Sequence, residues 1–297
     1  MDPVQVLQYI LSGITSGAVY AVVGIGFDIV YSATGIINFA QGDFLMLGGM
    51  IAVSLAPHMP LSLAVFCAVA ATGCVGVLLH VVFIRWLRSP AVLRLIILTI
   101  GLSILLREAA LHVWDEKVRA LPFFSGDETS SLAVLGARVS PQVLWVLAVA
   151  ALIVAGLGLF FRLTLTGKAM RACASNASAA RLCGVDASAL VTLSFFLSAA
   201  LGALAGCAVS PITQTSYDMG TPLAVKGFTC AVLGGLGSPT AAVAAGLLVG
   251  LVESFSVSVL PLAFKDVASL CILLAILVLR PQGLFAGGSR SLKGGNR

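Results

Sequence analysis

The chain alternates between long apolar blocks and short polar stretches. Eight or nine of the blocks approach the roughly 20 apolar residues that a helix needs to cross the hydrocarbon core of a bilayer. No block shows the alternation typical of barrel strands, so the pattern predicts an all-α fold, a polytopic transmembrane helical bundle of about eight to nine membrane segments. We expect residues 1–297 to form a single domain. The first helix, at about residues 5–31, is expected to be retained, because no Lys or Arg precedes Arg85 to form the basic region of a cleaved signal peptide.

Two of the membrane segments are predicted to be broken or re-entrant, near residues 32–40 and 233–240. In the first, Thr34 and Gly35 can end a helix, Asn38 can cap a new one, and the Gln41 side chain can reach back toward that cap. An ordinary helix start at the membrane interface is the alternative. In the second, Gly234, Gly235 and Gly237 disfavour a regular helix, and Ser238 followed by Pro239 is the expected pair of N-cap and first helical residue.

Polar segments and basic residues predict the orientation. The segments at 162–188, 113–140 and 280–297 are too polar to cross lipid. If the central segment 162–188 is cytoplasmic, alternation of the helices places 11 of the 17 Lys and Arg residues on that side, as the positive-inside rule requires. We therefore expect a cytoplasmic loop at 162–188, an external loop at 113–140 and a cytoplasmic tail at 280–297.

The central loop is predicted to contain two short helices. Thr166 can cap a helix over residues 167–174, Asn176 can cap a second over 177–183, and Gly184 can end the second in the left-handed conformation. Many of the side chains are small, so another protein could approach closely, and Lys168, Arg171 and Arg181 are basic. The loop is therefore either a docking element or a solvated loop whose charges only fix the topology.

Composition agrees with a membrane protein that has no chemistry of its own. Hydrophobic residues make up 59% of the chain and charged residues 10%, against about 25% in a typical soluble domain. The seven cysteines and three histidines are scattered, so no disulfide framework, metal site or cofactor is expected. The sequence contains no phosphate-binding loop and no hydrolase motif, so we expect no enzymatic activity.

Ionisable residues in the apolar blocks bear on the class of transporter. An ion-coupled secondary transporter needs such residues inside the bundle, and Asp28 and Glu253 are the candidates. We expect Asp28 at the membrane interface, where a charge costs less, and an interfacial position is equally open for Glu253. The adjacent charges Arg107 and Glu108 are expected to extend outward to water.

Several motifs together resemble the permease subunits of branched-chain amino acid ABC importers, specifically the shorter of the two paralogous permeases. They occur in order along nearly the full length, and Asp28 and the alanines of residues 241–245 are departures. The motifs are Gly17-Ala-Val-Tyr-Ala21, Gly35-Ile-Ile-Asn-Phe-Ala-Gln-Gly-Asp-Phe44, Thr99-Ile-Gly-Leu-Ser103, Gly167-Lys-Ala-Met-Arg-Ala172, Ala179-Ala-Arg-Leu-Cys-Gly184, Val232-Leu-Gly-Gly-Leu-Gly-Ser-Pro239 and Leu279-Arg-Pro-Gln-Gly-Leu-Phe285.

The resemblance implies an ATP-driven importer of branched-chain amino acids or of related small polar solutes such as urea or amides. It also implies a multi-pass protein of the bacterial inner membrane with a cytoplasmic C-terminus. The implied partners are a second paralogous permease, two ATPase subunits that hydrolyse ATP, and an external solute-binding protein.

The resemblance also implies roles for two sets of residues. Those expected to couple to the ATPase are Gly167, Lys168, Met170, Arg171, Ala177, Ala180, Arg181, Leu182 and Gly184. Those expected to line the translocation path are Asn38, Gln41, Gly42, Asp43, Gly234, Gly235, Gly237 and Ser238. Helix starts at these breaks would point backbone N–H groups at a cavity, where a carboxylate is favoured.

Overall fold

The computed structural model describes residues 3–86, 92–127, 130–134, 137–258, 261, 264–280 and 283–284. Arg88 and the cationic residues of the tail beyond 284 therefore lie outside the described residues. Within the described part, the all-α bundle is confirmed. Its helices are α1 (Pro3–Thr34), α2 (Gln41–Leu55), α3 (Leu61–Leu79) continued by a π-helical turn (His80–Ile84), α4 (Val92–Trp114), α5 (Pro141–Leu163), α6 (Leu165–Ser175), α7 (Ala177–Leu182), α8 (Ala187–Thr213), α9 (Gly220–Gly234), α10 (Pro239–Ser256) and α11 (Lys265–Leu279).

Six of the described helices are long and apolar enough to cross a membrane. They are α1, α3 with its π-helical turn, α4, α5, α8 and α10. Helices α2, α9 and α11 have 15 residues each and are shorter. The short helices α2 and α9 flank the two predicted breaks, so the breaks fall where the chain departs from full-length membrane helices.

Helix α1 lies at the centre of the bundle and contacts α5, α8, α9 and α10. Small residues on one face of α1 allow close packing against α10. A side chain at Gly17 would meet the backbone oxygen of Gly246, and one at Gly250 would meet the backbone of Gly13 and Gly17. Because glycine has no side chain, the two helix backbones can approach closely and gain van der Waals contact.

Helices α2 and α8 pack through small residues in the same way. A side chain at Gly48 would overlap Ala203, and one at Gly206 would overlap the backbone of Leu45. The buried thiol of Cys207 donates to the backbone oxygen of Gly48 at 3.3 Å. The small residues around 202–206 of α8 thus form a close-packing face toward α2.

The predicted external loop contains the only regular strands of the described residues. Strands β1 (Leu132–Val134) and β2 (Ala137–Val139) form an antiparallel ribbon in which Leu132 pairs with Val139. An isolated bridge joins Arg119 to Thr215, in the segment after α8. The loop therefore folds onto the ends of neighbouring helices and is attached to them by hydrogen bonds.

Candidate coupling element and translocation path

The predicted two-helix loop forms α6 and α7, an element that we call the elbow (residues 165–184). Its first cap is Thr164, whose hydroxyl accepts a hydrogen bond from the Gly167 N–H at 3.0 Å. The prediction that Thr166 caps this helix is wrong, because the helix begins at Leu165, two residues earlier than predicted, and Thr166 lies inside it. Asn176 caps α7 as predicted, accepting from the Ala179 N–H at 3.0 Å.

The elbow has one face toward the bundle and another that is exposed. Gly167 packs so closely on Phe160 that a side chain there would overlap the Phe160 carbonyl oxygen. Met170 and Ala180 are also buried. The residues predicted to couple to the ATPase thus divide into a buried set and an exposed set. Ala177 begins α7, and the exposed residues are Lys168, Arg171, Arg181, Leu182 and Gly184.

Leu182 is the most exposed apolar side chain of the elbow. It is 91% exposed at the C-terminal end of α7, beside the basic residue Arg181. Gly184 follows with a φ of +83°, the left-handed conformation predicted for it. An exposed leucine at the end of a short capped helix is suited to insertion into a groove of another protein.

The second predicted break lies between α9 and α10. Helix α9 ends at Gly234. The next two glycines, Gly235 and Gly237, have φ values of +88° and +94°. Helix α10 then begins at Pro239. Only glycine adopts these φ values without strain. Ser238 occupies the N-cap position as predicted, but its side chain makes no capping hydrogen bond.

Asp28, which lies in the neighbouring helix α1, stabilises this break. Its Oδ1 atom accepts a hydrogen bond from the Gly237 N–H at 3.0 Å, and its side chain is fully buried in α1. The expected interfacial position of Asp28 is therefore wrong. The acid lies inside the bundle because it satisfies a backbone N–H group that the glycine-rich turn leaves without a helical partner.

The segment after α11 closes over the same break. The Leu284 N–H donates to the Leu233 carbonyl oxygen at 2.8 Å. Gly283, with a φ of +91°, approaches so closely that a side chain there would lie 2.6 Å from the Gly235 nitrogen. The chain thus brings the glycine-rich turn, Asp28 and the start of the tail together.

A cavity of about 310 Å³ joins the elbow to the second break. Met170 and Arg171 of α6 line it on one side, and Gly237, Pro239 and Thr240 line it on the other. Arg162, at the end of α5, also lines it. The structure therefore places the predicted coupling element next to Gly237, one of the predicted path residues.

The first predicted break is held by buried side chains. Asn38 does not cap α2; its Oδ1 atom accepts from the Ala40 N–H at 3.2 Å, and Ala40 occupies the N-cap position. The predicted reach of Gln41 toward the cap is also wrong. Its Nε2 atom donates to the Ser198 carbonyl oxygen at 3.2 Å, and its Oε1 atom accepts from the Ser198 hydroxyl.

Ser198 extends this network to α1, because its hydroxyl also contacts the Gly26 carbonyl oxygen at 2.9 Å. A side chain at Gly26 would overlap the Gln41 amide. Three helices that are far apart in sequence thus meet at one buried amide. The local capping pattern does not show this, because the partner of Gln41 is 157 residues away.

Gly42 and Asp43 lie at the edge of a second cavity. The backbone of Gly42 packs against that of Gly220, with no room for a side chain at either position. Asp43 is buried, and its Oδ1 atom lies 3.6 Å from the Nε atom of Arg107. The expectation that Arg107 extends outward is therefore wrong, because its guanidinium turns toward α2 and α9.

A buried ion pair that the sequence pattern did not predict joins α9 and α10. Lys226 Nζ lies 2.9 Å from Glu253 Oε1, and the Tyr20 hydroxyl donates to the same oxygen at 3.0 Å. Glu253 is therefore not interfacial but lies inside the bundle. One lysine and one glutamate in adjacent apolar blocks were the available signal, since buried charges in membrane proteins pair with one another.

The fold of this chain is similar to that of a solved protein structure. The structure superposes with a TM-score of 0.52 on a chain of PsaBC from Streptococcus pneumoniae, solved in complex with Fab, at 11% identity over 93% of this chain and 92% of that one. This likeness concerns the fold alone.

The sequence comparisons give the family. Residues 9–277 match the family described as "Branched-chain amino acid transport system / permease component". The chain is 33% identical to the high-affinity branched-chain amino acid transport system permease protein BraD of Pseudomonas aeruginosa, over 94% of this chain and 95% of BraD. It is 30% identical to the corresponding protein LivH of Escherichia coli K12, over 94% of each chain. The chain belongs to this family of permease components, and it is a multi-pass membrane permease subunit of an ABC importer.

Proposed function

We propose that this permease imports branched-chain amino acids, or related small polar solutes such as urea or amides, across the bacterial inner membrane. It would work with a second paralogous permease, two ATPase subunits and an external solute-binding protein, and its C-terminus would be cytoplasmic. ATP hydrolysis belongs to the ATPase subunits in this proposal. The names of BraD and LivH and the family match support the solute class.

The elbow is proposed as the contact with an ATPase subunit. Its exposed surface combines Leu182 with the basic residues Lys168, Arg171 and Arg181, while Gly167, Met170 and Ala180 attach it to the bundle. Capping by Thr164 and Asn176 fixes the residues at which its two helices begin. The cytoplasmic position of residues 162–188 and of the tail is part of the same proposal, as is the external position of residues 113–140.

The two breaks are proposed to line the translocation path. Gly42 and Asp43 face the cavity beside Arg107, and Gly237 faces the cavity beside the elbow. Gly234, Gly235 and Ser238 shape the second break, and Asn38 and Gln41 shape the first.

The cavity shared by the elbow and the second break is the observation that carries the proposal. Movement of α6 by the ATPase would change the space beside the turn at Gly237, whose N–H is held by the Asp28 carboxylate. Nucleotide-driven movement then changes the path at that point without requiring the whole bundle to deform.

Replacement of Leu182 by Asp tests the contact. Burying an unpaired carboxylate in an apolar groove is unfavourable, so ATPase subunits should copurify with the permease in at least tenfold lower yield. Leu132→Asp is the matched control, because Leu132 is also an exposed leucine but lies in the predicted external loop. Copurification and solute-stimulated ATP hydrolysis that are normal in both variants would reject the elbow as the contact.

A further inference from the structure

The cavity beside Asp43 and Arg107 has the chemistry of a site for a free amino acid. It lies between α1, α2, α4 and α9 and has a volume of about 170 Å³. For comparison, a cavity of about 150 Å³ in a protein interior can hold benzene. The space therefore suits a small aliphatic side chain, with the polar end of the ligand toward the charged residues.

The ion pair between Arg107 and Asp43 in the cavity is not closed by a direct hydrogen bond. Arg107 Nε and Asp43 Oδ1 are 3.6 Å apart, which is an ion-pair distance but too long for a hydrogen bond. The Ser103 side chain interacts with the Asp43 carboxylate, but among the described residues the buried atoms Asp43 Oδ2 and Arg107 Nε have no hydrogen-bond partner. A buried carboxylate oxygen without a hydrogen bond is costly, so the presence of Asp43 Oδ2 at a cavity indicates that a ligand completes its bonding.

The other two nitrogen atoms of the Arg107 guanidinium donate to neighbouring hydroxyl groups. Nη1 donates to the Thr221 hydroxyl at 3.0 Å, and Nη2 donates to the Ser103 hydroxyl at 3.3 Å. These bonds orient the guanidinium across the mouth of the cavity, where its side chain is 29% exposed. A planar guanidinium held in this way is suited to bind a carboxylate.

Aromatic rings form the apolar wall. Phe228 packs edge-on against Phe27, with ring centroids 5.9 Å apart, and lies 6.0 Å from the ring of Phe39. All three rings line the cavity. Gly42 and Gly220 form a floor that has no side chains to fill the space.

We propose that this cavity binds a free α-amino acid in transit, with its carboxylate on Arg107, its ammonium group on Asp43 and its aliphatic side chain against Phe27, Phe39 and Phe228. The inference rests on the proposed function and adds a recognition site within this subunit. A zwitterion matches the site because its two charges meet the two opposite charges of the pair, so that no net charge is buried. Urea and simple amides carry neither charge, so the site favours amino acids over them.

Thiol protection tests binding without the solute-binding protein or ATP. In the complete importer in detergent, with exposed Cys74, Cys183 and Cys271 replaced by serine, Val225→Cys places a thiol at the cavity rim, where Val225 is exposed. Millimolar leucine should slow its reaction with a maleimide. Isoamylamine and 4-methylvalerate, which each lack one of the two charges, should have little effect. Equal protection by all three compounds would indicate an apolar crevice, and no protection by leucine would indicate no site. Either result would overturn the proposal.

Charge variants test the site during transport. Arg107→Gln, Asp43→Asn and the double variant should each lower leucine uptake per ATP hydrolysed about tenfold or more, since a hydrogen bond to a charged group is lost. The control is Glu108→Gln, which removes an exposed charge next to Arg107 on α4. Wild-type uptake in the double variant would show that the pair is only structural.

The two proposals fail in different ways. If the wild-type importer assembled with ATPase subunits but carried no branched-chain amino acid, while leucine still protected the Val225→Cys thiol, the solute assignment would fail and the site would remain. If leucine were imported normally but gave no protection, the importer would stand and the site would be rejected.

Discussion

The two helix breaks, which the sequence presents as similar features, are built in different ways. The first is fixed by side chains, with Gln41 of α2 bonded to Ser198 of α8 and Ser198 in contact with the Gly26 carbonyl of α1. The second is a backbone turn of glycines in which Asp28 supplies one hydrogen bond to Gly237. Changing the first requires several buried bonds to break together, whereas the second can change with few side chains moving.

The difference in construction matches a difference in position. The first break leads into Asp43 and the aromatic cavity, where a fixed geometry favours recognition. The second lies across a cavity from the elbow, where a deformable backbone favours transmission of movement. We therefore interpret the first break as part of a binding site, and the second as the point at which the ATPase subunits change the translocation path.

The largest effect is expected from filling the space at the first break. In Gly26→Leu, the new side chain overlaps the Gln41 amide and displaces it from Ser198. Overpacking a tight core costs about 1–3 kcal/mol, so the purified permease should unfold at a clearly lower temperature. The control is Gly156→Leu, because no atom of a neighbouring residue lies within 4 Å of a side chain added there. Equal melting temperatures for the two variants would contradict a tightly packed first break.

An effect of at most the same size, but more local, is expected at the second break. Asp28→Ala leaves the Gly237 N–H without its acceptor, at a cost of about 1–3 kcal/mol. Hydrogen exchange at residues 234–238 should become faster while residues 36–44 keep their protection, and transport should fall. Asp28→Asn retains an acceptor oxygen and should restore much of the protection. Faster exchange at both breaks would show that they are not independent.

The smallest effects are expected from the capping positions themselves. Asn38→Ala removes one hydrogen bond, to the Ala40 N–H, and should lower the free energy of unfolding by about 0.5–1.5 kcal/mol. It should reduce uptake while ATPase association persists. Ser238→Ala should change that free energy by less than about 0.5 kcal/mol, because the Ser238 side chain makes no capping bond. A larger loss in Ser238→Ala than in Asn38→Ala would reverse the comparison.

Local signals in the sequence were enough for much of the framework. Runs of apolar residues predicted the membrane helices, and the pair Ser238-Pro239 predicted the start of α10. Asn176 and Gly184 were correctly predicted as the cap of α7 and a left-handed residue. These features depend on residues within one or two helical turns of each other, so the local sequence is sufficient to predict them.

The partners of buried polar side chains could not be predicted in this way. Gln41 contains the signal for a local capping box, but Ser198 on a distant helix takes its amide. Asp28 near the end of a helix looks interfacial until the turn at Gly237 is placed beside it. Arg107 has an adjacent acid, Glu108, yet its guanidinium turns to Asp43. In each case the deciding contact joins helices that only the tertiary fold brings together.

The central claim, that the elbow acts on the second break, is tested most directly by distances in the assembled importer. Spin labels at Ala174 and Thr240 lie on the two sides of the cavity between the elbow and α10. A second pair of labels at Ile37 and Leu197 stands next in sequence to Asn38 and Ser198, which belong to the first break. With Cys74, Cys183 and Cys271 replaced, ATP binding should change the distance between the first pair and leave the second pair unchanged. An unchanged distance between the labels at Ala174 and Thr240, with ATPase subunits bound and closing, would contradict the account.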